Sequence, residues 1–527
     1  MKFASLRLAL LLAFLYGCES AESQPTITFI HLNDTYRLDA VEEGRRGGFA
    51  RVATIVRKLQ TNGHDVRITH GGDFLFPSLE SQIWQGEQIV EALNYLDSLA
   101  PMYVVPGNHE FDRRTPDALV NAVRGSDFTW IADNMRFETG QSDVDAALHK
   151  VFMFTAGGHK VGVFALSASP GDGGNDRDYA PVDGEYLRAA ESAIQQLESE
   201  GAELIFGLTH LYLADDKIVA TLKEKHSAFM FIVGGHEHEP EFEPGDEQNA
   251  AIMKGASNAR VVWQIEARFD GGKPVIETSE ISVDESIDED DEYQVIASKW
   301  RERLLSKMPF LTSSVGEAAV PQDGREVTVR NQESNWGNFI VDQMPAAFGE
   351  PVADLAFVNS GTLRIDDFVA EDITFEDIGR TFGFSSFLRH MTISGADFAT
   401  LMEAGFRGEG PSKGYFPQIS GFRVCIDRSR PDGQRIAQML VPTDAGWQEI
   451  EAERDYQLVA SDFLYRGGDG YDFSAAHDVS RPGSELQYLV LDAVLTAQAQ
   501  GRAIGSAIDA SMHRIAFLQA GQRACFN

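Results

Sequence analysis

The chain of 527 residues is poor in cysteine, in positive charge and in long apolar runs. Three cysteines are too few for a disulfide-rich scaffold or a thiolate zinc site. Lys and Arg number 45 against 80 Asp and Glu, which gives a formal net charge of −35. So negative a surface repels DNA and RNA, which argues against nucleic-acid binding as the main role. With 43% hydrophobic residues, the chain suits several globular domains.

The amino terminus predicts export. A basic start precedes an apolar run over residues 8–16, which is too short to span a bilayer as a helix. The letters L-Y-G-C that end at Cys18 resemble a bacterial lipoprotein signal, in which that cysteine is lipidated. We predict a signal peptide over 1–17, a tether over 18–25 and a protein in the periplasm or at the cell surface, anchored to the outer membrane. Because Tyr16 is bulky for its position, cleavage by ordinary signal peptidase stays open.

The other two cysteines, Cys425 and Cys525, are far apart in the chain. In an exported protein they could form a disulfide with each other. Their separation gives no geometric support for a bond, so two buried free thiols are an equal alternative.

Between residue 26 and about residue 283, short apolar runs alternate with amphipathic helical patterns. Five runs rich in β-branched or aromatic residues predict strands, at 26–32, 66–69, 102–105, 204–208 and 229–233. The stretches at 87–99 and 185–199 have helical spacing. This alternation predicts an α/β domain with a largely buried sheet.

Polar side chains follow all five predicted strands. The segments are Asn33-Asp34, Gly71-Gly72-Asp73, Gly107-Asn108-His109-Glu110, Thr209-His210 and Gly234-Gly235-His236-Glu237-His238. In sheets of this class, ligands bind beyond the carboxyl ends of the strands, so these loops can converge on one site. Carboxylates, imidazoles and one amide oxygen suit a divalent metal such as Mn, Zn or Fe. The pattern predicts a shared metal centre.

Together these motifs resemble the calcineurin-type metallophosphoesterases, and their spacing resembles the exported bacterial 5′-nucleotidase family. The resemblance implies a four-layer α/β/β/α domain over residues 26–283 with two divalent metal ions, for which Mn, Zn, Co, Mg and Fe all stay open. It implies that Asp73 bridges the two ions. The other ligands would be Asn108, His210 and His236 for one ion, and Asp34 and His238 for the other. Two such metals can clamp a phosphate oxygen and lower the pKa of bound water.

The resemblance assigns a different role to His109 and its partner Asp112. His109 would not bind metal but would stabilise the transition state or protonate the leaving oxygen. Asp112 follows three residues later, so it can orient the imidazole if the intervening residues form a turn. A purely structural hydrogen bond is the alternative for His109.

One position departs from the family pattern. The family has Asp-x-His at its first motif, whereas this chain has Asp34-Thr35-Tyr36. Because a phenol is a poor ligand for zinc or magnesium, Tyr36 could simply line the cleft while His238 and water complete the metal shell. Alternatively, Tyr36 could be a tyrosinate ligand to ferric iron, since a hard oxygen replaces an imidazole.

An acidic run over residues 284–292 leads into a helical pattern through Ile296, Trp300 and Leu304. Negative charge at its start and positive charge at its end favour a helix there. We predict a solvated linker helix within 284–311, about which the two halves of the molecule could rotate, as the family resemblance suggests.

Residues 312–527 mix strand and helix patterns and end in a helical stretch at 485–500. Six residues lie in segments that resemble the carboxy-terminal domain of 5′-nucleotidases, an α+β fold: Arg330, Asn359, Arg364, Phe416, Phe463 and Asp469. The resemblance implies that the arginines and the asparagine bind phosphate, the phenylalanines sandwich the base, and the aspartate accepts hydrogen bonds from the ribose. Guanidinium groups match phosphate geometry, and aromatic faces stack on bases. Singly, these residues could also be surface charges, core phenylalanines and a turn.

These features predict a hydrolase that converts nucleoside 5′-monophosphates to nucleoside and phosphate by means of a metal-bound hydroxide. A nucleotide sugar, a cyclic nucleotide or another small phosphate ester stays open as the substrate. The alternative from a different class is a surface lipoprotein that binds nucleotide without catalysis, because Tyr36 departs from the family pattern. The sequence predicts no nucleic-acid partner and contact with a membrane only through the lipid anchor. It leaves the base preference and the oligomeric state open.

Overall fold

The computed structural model describes residues 26–526, apart from 136–137, 171–177, 182–183, 409–412, 509–512, 520 and 523. The predicted signal peptide, the lipidation site at Cys18 and the whole tether lie outside the described residues. Among the helices in the described ranges, none combines the length and the apolar character needed to cross a membrane.

Two sheets face each other in the first domain. The strands of the first sheet are β1 (Ile27–Leu32), β2 (Asp65–His70), β3 (Met102–Val104), β4 (Thr129–Ile131), β5 (Leu148–His149), β12 (Val261–Asp270) and β13 (Lys273–Ser282). Those of the second are β6 (Val151–Ala156), β7 (His159–Ser167), β8 (Leu204–His210), β9 (Phe229–Gly234), β10 (Glu241–Glu243) and β11 (Ala251–Lys254). The first sheet has the order β13-β12-β1-β2-β3-β4-β5 and the second the order β10-β11-β9-β8-β7-β6. Strands β1 to β5 run parallel, as do β7, β8, β9 and β11.

Helices cover the outer face of each sheet. They are α1 (Phe49–Thr61), α2 (Leu79–Trp84), α3 (Glu87–Leu99), α4 (Asp117–Gly125), α5 (Ser142–Ala147), α6 (Tyr186–Ser199), α7 (Leu213–Ala220) and α8 (Asp291–Lys307). Side chains alternate along each strand, so Phe29 of β1 packs between the sheets while Ile30 packs under the helices. The five predicted strands and two predicted helices are confirmed, and the domain has the four layers α/β/β/α.

The predicted linker helix is present as α8 and begins within the acidic run, with Asp290 as its N-cap. It is not the solvated linker that the sequence predicted. Tyr293, Ala297 and Trp300 are buried in the core beneath the first sheet. Because an apolar face is buried there, α8 belongs to the first domain, and only its outer face meets solvent.

The second domain contains two four-stranded sheets and two small strand pairs. Its strands are β14 (Ser314–Glu317), β15 (Gln322–Asp323), β16 (Leu355–Asn359), β17 (Phe368–Val369), β18 (Asp372–Thr374), β19 (Leu388–Ser394), β20 (Pro417–Ser420), β21 (Arg423–Ile426), β22 (Ile436–Thr443), β23 (Gly446–Glu449), β24 (Asp455–Ser461) and β25 (Ile515–Phe517). The sheets have the orders β19-β24-β16-β20 and β23-β22-β21-β25, and the pairs are β14-β18 and β15-β17. Its helices are α9 (Glu326–Val329), α10 (Asn335–Val341), α11 (Phe375–Thr381), α12 (Gly395–Glu403), α13 (Asp462–Tyr465) and α14 (Leu486–Ala499). The predicted α+β fold and the predicted helix at 485–500 are both confirmed.

A disulfide joins Cys425 on β21 to Cys525 near the carboxyl terminus, with 5.5 Å between the Cα atoms. The sequence left this pairing open. The two residues meet because β25, which precedes Cys525, pairs in parallel with β21.

Buried polar contacts tie the two domains together. Nδ2 of Asn258 donates to Asp366 at 2.9 Å, and Nη1 of Arg37 donates to the carbonyl of Ile365 at 3.1 Å. Because Asn258 and Asp366 are almost fully buried, these contacts hold the second domain against the carboxyl ends of the first domain's strands.

Candidate metal centre and active site

The predicted ligands meet where the parallel strands of both sheets end. Asp34 follows β1, Asp73 follows β2, His210 ends β8, and His236 and His238 follow β9. All of these except His210 have a positive φ, between 53° and 92°. Such a conformation costs about 1–3 kcal/mol for a residue other than glycine, and it is typical of functional sites. The backbone is therefore bent to aim these side chains at one place.

Four ligand atoms form one compact group. Oδ1 of Asn108 lies 3.2 Å from Nε2 of His210 and 3.1 Å from Nδ1 of His236. The two imidazole nitrogens are 3.3 Å apart, and Oδ2 of Asp73 is 3.2 Å from Nε2 of His210. The structure therefore brings together the four residues predicted to hold one ion.

A second group adjoins the first. Asp34, Asp73 and His238, all buried, offer ligand atoms within 4.8 Å of one another. Oδ1 of Asp34 is 3.2 Å from Nε2 of His238. Oδ2 of Asp73 is close to both groups, as a bridging ligand requires. Tyr36 also reaches this group, with its hydroxyl oxygen 3.1 Å from Nε2 of His238.

In each group, one imidazole nitrogen faces carboxylate oxygens with a lone pair instead of a proton. Nδ1 of His210 donates to the carbonyl of Gly71 at 2.5 Å, and Nδ1 of His238 donates to Oε2 of Glu326 at 2.8 Å. In the neutral rings, Nε2 is therefore an acceptor that faces carboxylate oxygens. Burial lowers the pKa of His210, but the carboxylates of Asp73 and Asp34 outweigh it and raise the pKa to about 10. This demand for positive charge fits the divalent cations of the family.

Two buried carboxylates hold the ligand loops, and neither was predicted. Glu110 accepts hydrogen bonds from the backbone N–H groups of Asp73, Phe74, Leu75 and Gly107. Its four donors lie on two different loops, so it fixes the loop after β2 against the loop after β3. Glu326 connects the two domains in a similar way. It lies in the second domain and accepts hydrogen bonds from His238 and Ser257 of the first domain and from Arg330 of its own.

A buried lysine supports the loops after β8 and β9. Nζ of Lys254 donates to the carbonyls of Leu211 and Gly235, each next to a predicted ligand. It also pairs with Asp216 at 2.8 Å and with Glu237 at 2.6 Å. The buried ammonium charge is thus compensated by carboxylates of the same cluster. Lys254, Asp216 and Glu237 come together only in the folded chain, so their spacing in the sequence did not predict this cluster.

His109 lies beside the metal groups and faces the cleft. Its Nδ1 is 3.0 Å from both carboxylate oxygens of Asp112, which supports the predicted pairing. Burial lowers the pKa of His109, but the carboxylates of Asp112 and Asp73 outweigh it and raise that pKa. Nε2 lies 3.3 Å from Nη2 of Arg364 and 3.8 Å from Oδ2 of Asp73. The ring thus points from its orienting carboxylate toward the bridging ligand.

The second domain supplies Arg364 to the same place. Nε donates to the carbonyl of Gly361 at 2.6 Å, which fixes the guanidinium group. Nη1 is buried and has no hydrogen-bond partner within the described part of the chain. A partly buried cation with an unused, buried donor atom is suited to an anion. Arg330 is also brought to the cleft, where Nη2 donates to Glu326 at 2.9 Å.

Asn359 and Asp469 lie together farther along the cleft. Nδ2 of Asn359 donates to Oδ2 of Asp469 at 2.8 Å, and its Oδ1 accepts from Thr362. Asp469 has a φ of 52° within the turn after α13. Burial raises its pKa. The carboxylate of Asp469 and the amide of Asn359 therefore form an adjacent pair of polar groups that faces the cleft.

The two predicted base-binding phenylalanines are placed differently. Phe463 lines the cleft. Phe416 is 5% exposed and packs against the edge of Phe406 within the core of the second domain, and it is not among the cleft's lining residues. The predicted sandwich of Phe416 and Phe463 is therefore not formed in this structure, because the chain turns the neighbouring Tyr415 toward the cleft instead.

One cleft of about 460 Å³ joins the metal groups to the second domain, and Asp73, Asn108, His236 and His238 of those groups line it. This volume is within the range of small-molecule sites. Cationic side chains converge on it in a chain whose net charge is −35: Arg113, Arg330, Arg364, Lys413 and Arg466. The surface therefore repels anions in general, whereas these side chains offer positive charge in the cleft beside the four acidic side chains that also line it.

The chain matches two known families in succession. Residues 27–240 match the calcineurin-like phosphoesterases, and residues 314–476 match the C-terminal domain of 5′-nucleotidases. The chain belongs to the calcineurin-like phosphoesterases that carry a 5′-nucleotidase C-terminal domain. Each of the two matched segments lies within one domain of this fold.

Members of these families align with nearly the whole chain. It is 22% identical to a 5′-nucleotidase of Bos taurus over 84% of each chain. It is 24% identical to Protein 5NUC of Lutzomyia longipalpis, over 99% of this chain and 97% of that protein. The crystal structure of a 5′-nucleotidase precursor from Thermus thermophilus has the same fold, with a TM-score of 0.77 and 23% identity over 94% of this chain and 99% of that one.

The same phosphoesterase fold serves more than one named reaction. A sulfate thiohydrolase, SoxB, from Thermus thermophilus superposes with a TM-score of 0.69 and 15% identity, over 94% of this chain and 97% of that one. The fold alone therefore does not determine the substrate, and the reaction of this phosphoesterase has to be argued from its cleft.

Proposed function

We propose that this protein hydrolyses nucleoside 5′-monophosphates to nucleoside and phosphate with the help of two bound metal ions. The observation that carries the proposal is the cleft itself, in which two groups of metal-ligand atoms face a partly buried arginine whose buried Nη1 is an unused donor. Aromatic side chains lie along the same cleft. The relatives named above as 5′-nucleotidases support the proposal.

Two adjoining ligand groups fit two ions. Asn108, His210 and His236 would hold one, Asp34 and His238 the other, and Asp73 would bridge them. When bound, the ions would neutralise charge on the phosphate and lower the pKa of a water molecule for attack on phosphorus. Glu110 and Lys254 keep the ligand loops in place for this, since they hydrogen-bond the backbone on either side of the ligands.

His109 and Arg364 would act on the phosphate ester. Arg364 has a free Nη1 for a phosphate oxygen. Asp112 orients the ring so that Nε2 faces the cleft. His109 can therefore give a proton to the oxygen of the leaving nucleoside, which is a poor leaving group as an alkoxide.

The second domain would recognise the nucleoside. Phe463 and Tyr415 offer aromatic surface to a base, and Asp469 offers a carboxylate to the ribose hydroxyls. Arg330 would add positive charge near the phosphate, and Asn359 would orient Asp469. In this proposal, residues 26–283 together with α8 carry out the chemistry, and residues 312–527 recognise the nucleoside.

Phosphate release from AMP tests the function. The protein is stripped of metal and resupplied separately with Mn, Zn, Co, Mg or Fe, and a nucleotide sugar and a cyclic nucleotide are tested beside AMP. We expect release from AMP with at least one metal and none without metal. Tight nucleotide binding without release under any condition would instead indicate a binding protein, and preference for another ester would correct the substrate.

We also propose that the protein is exported and held at the membrane by a lipid on Cys18. The disulfide between Cys425 and Cys525 supports an oxidising compartment. The full-length protein should partition with membranes, whereas a Cys18→Ser form should be recovered in the soluble fraction. Equal partitioning of the two forms would contradict the anchor.

A further inference from the structure

Arg466 lies beside the aromatic surface that the proposed function gives to the base. It directly follows the short helix α13, and its N–H still donates to the carbonyl of Asp462 at 3.2 Å, so the helical turn includes it. Residues three apart on a helix lie on the same face. Phe463 and Arg466 are three apart, and both line the cleft. The proposed function uses the phenylalanine but gives no role to the arginine.

The turn after α13 fixes the ring of Phe463 close to the proposed ribose carboxylate. A Cβ atom on Gly468 would lie 2.6 Å from Cε1 and Cζ of that ring. Because glycine has no Cβ, the ring can lie directly against the backbone of the turn. Asp469, the next residue, faces the cleft beside Asn359. A nucleoside whose ribose is bound by Asp469 would therefore have its base beside Phe463 and Arg466.

The guanidinium group of Arg466 is held through one nitrogen. Nε is 3.1 Å from Oδ2 of Asp462, a carboxylate that also accepts from Nε of Arg389. Within the part of the chain that the structure describes, Nη1 and Nη2 donate to no protein acceptor, and the side chain is 52% exposed. A held stem therefore carries two parallel N–H donors at the wall of the cleft.

Two parallel donors match two adjacent acceptors on the edge of a base. Guanine and hypoxanthine present O6 next to N7, and this pair on guanine is the commonest specific partner of arginine. Adenine presents N7 next to an N6 amino group, so one of the two donors would face another donor. Cytosine also has two adjacent acceptors, but its single ring offers Phe463 and Tyr415 less surface for stacking. The arginine therefore favours 6-oxopurines.

Phosphate is the other usual partner of a guanidinium group. The phosphate end of the cleft already has Arg364, whose Nη2 is 3.3 Å from Nε2 of His109. Arg466 lies instead at the turn that carries Phe463 and Asp469. Its place in the fold favours contact with the base over contact with the phosphate.

We propose that Arg466 determines the base specificity and that the preferred substrates are 6-oxopurine nucleoside 5′-monophosphates, such as GMP and IMP. Nη1 and Nη2 donate to O6 and N7 of the base while Phe463 stacks on its ring. AMP remains a substrate with a lower kcat/KM. The inference rests on the proposed function for the reaction, but the base preference can be measured by binding alone.

Equilibrium binding of nucleosides tests the inference without turnover. Inosine and adenosine have the same shape, differ in O6 against N6, and carry no phosphate. Calorimetric titration of the full-length, metal-loaded protein should show about tenfold tighter binding of inosine, the lower end of the discrimination by a bidentate contact, because Arg466 is half exposed. 7-Deazainosine, which has a carbon in place of N7, should lose most of this advantage.

Variants of Arg466 assign the preference to its side chain. Arg466→Ala should bind inosine and adenosine about equally, and the change from inosine to 7-deazainosine should then have no further effect. Arg466→Lys keeps the charge without the two parallel donors, so it should also lose the preference. Arg430→Ala is the matched control. Nε of Arg430 is likewise 3.1 Å from an aspartate of its own turn and the side chain is 46% exposed, but Arg430 does not line the cleft, so this variant should keep the wild-type preference.

Three results would overturn the inference: equal affinities of the wild-type protein for inosine and adenosine, tighter binding of cytidine than of inosine, or an undiminished preference in Arg466→Ala. A loss of affinity for ribose 5-phosphate as large as that for IMP in Arg466→Ala would also overturn it, because the arginine would then bind phosphate. Phosphate release from AMP and GMP tests the proposed function separately. Release without a base preference would refute only this inference, and a binding preference without release would refute only the proposed function.

Discussion

The two sides of the cleft are built in different ways. On the metal side, the side chains sit at strand ends on strained backbone, and buried groups such as Glu110 and Lys254 fix their loops. On the opposite side, Phe463 and Tyr415 are only partly buried. Bond-breaking chemistry requires fixed geometry, whereas recognition of a base tolerates adjustment. The comparison suggests that turnover and nucleotide affinity can be altered separately.

The largest effect should come from the metal side. His109→Ala removes the proposed proton donor, so kcat for AMP should fall by about 10²–10⁴-fold, which is the usual contribution of general acid catalysis. Nucleotide binding should be spared, because the base contacts lie in the other domain. The loss should be much smaller for p-nitrophenyl phosphate, whose leaving group needs no protonation. Steady-state kinetics with both substrates measures this.

His149→Ala is the matched control, since this histidine is exposed on β5 of the same sheet. It should leave both rates unchanged. Equal losses on the two substrates in His109→Ala would show that His109 positions the phosphate rather than protonating the leaving group.

A second variant changes Glu326, which contacts both sides of the cleft. Glu326 belongs to the second domain, yet it accepts from the metal-side His238 at 2.8 Å and from Arg330 at 2.9 Å. Glu326→Gln removes the charge that orients both, so metal affinity should fall by about 10–100-fold, as for other partners of metal-bound histidines. Titration of stripped protein with metal measures the affinity, and turnover at saturating metal should recover in part.

Glu371→Gln is the control for that variant, because Glu371 is exposed in the same domain. Unchanged metal affinity in Glu326→Gln would mean that the domain contact is structural only and that the two sides of the cleft are independent.

A third variant changes the side of the cleft that would recognise the base. Phe463→Ala removes one aromatic face from the cleft, and base stacking contributes about 1–3 kcal/mol. Because Tyr415 remains, we expect the lower part of that range, about a tenfold rise in KM for AMP with little change in kcat. Ribose 5-phosphate, which has no base, should show no difference. Trp447→Ala, a partly exposed aromatic on β23, is the control.

The metal side could be predicted from the sequence because each predicted ligand lies at the end of a strand or within a few residues after it. Apolar runs locate the strands, and parallel strands bring their carboxyl ends to one edge, so local patterns suffice. Asp34, Asp73 and His210 were found in this way. The same local reasoning identified the helical patterns at 87–99 and 485–500.

The remaining features depend on contacts between distant parts of the chain. Whether Phe416 or Tyr415 faces the cleft depends on which neighbour, such as Phe406, fills the core. Glu326 looked like any other acidic residue until the fold placed it beside His238, 88 positions away in the chain. The burial of α8 likewise follows from packing against the first domain, and its charge pattern alone indicated a solvated helix.

The smallest effect on catalysis should come from the disulfide, which lies in the sheet of β21 to β23 and β25, and neither of its cysteines lines the cleft. Closing a loop of 100 residues constrains the unfolded chain, and removal of a native disulfide costs about 2–5 kcal/mol. The double variant Cys425→Ser with Cys525→Ser should therefore unfold at lower denaturant concentration, while KM and kcat for AMP at moderate temperature stay within about twofold. Denaturant titration followed by circular dichroism measures the stability. A large fall in kcat together with a normal unfolding midpoint would show that β25 and the carboxyl terminus reach the chemistry, and that the division between a fixed metal side and an adjustable recognition side is incomplete.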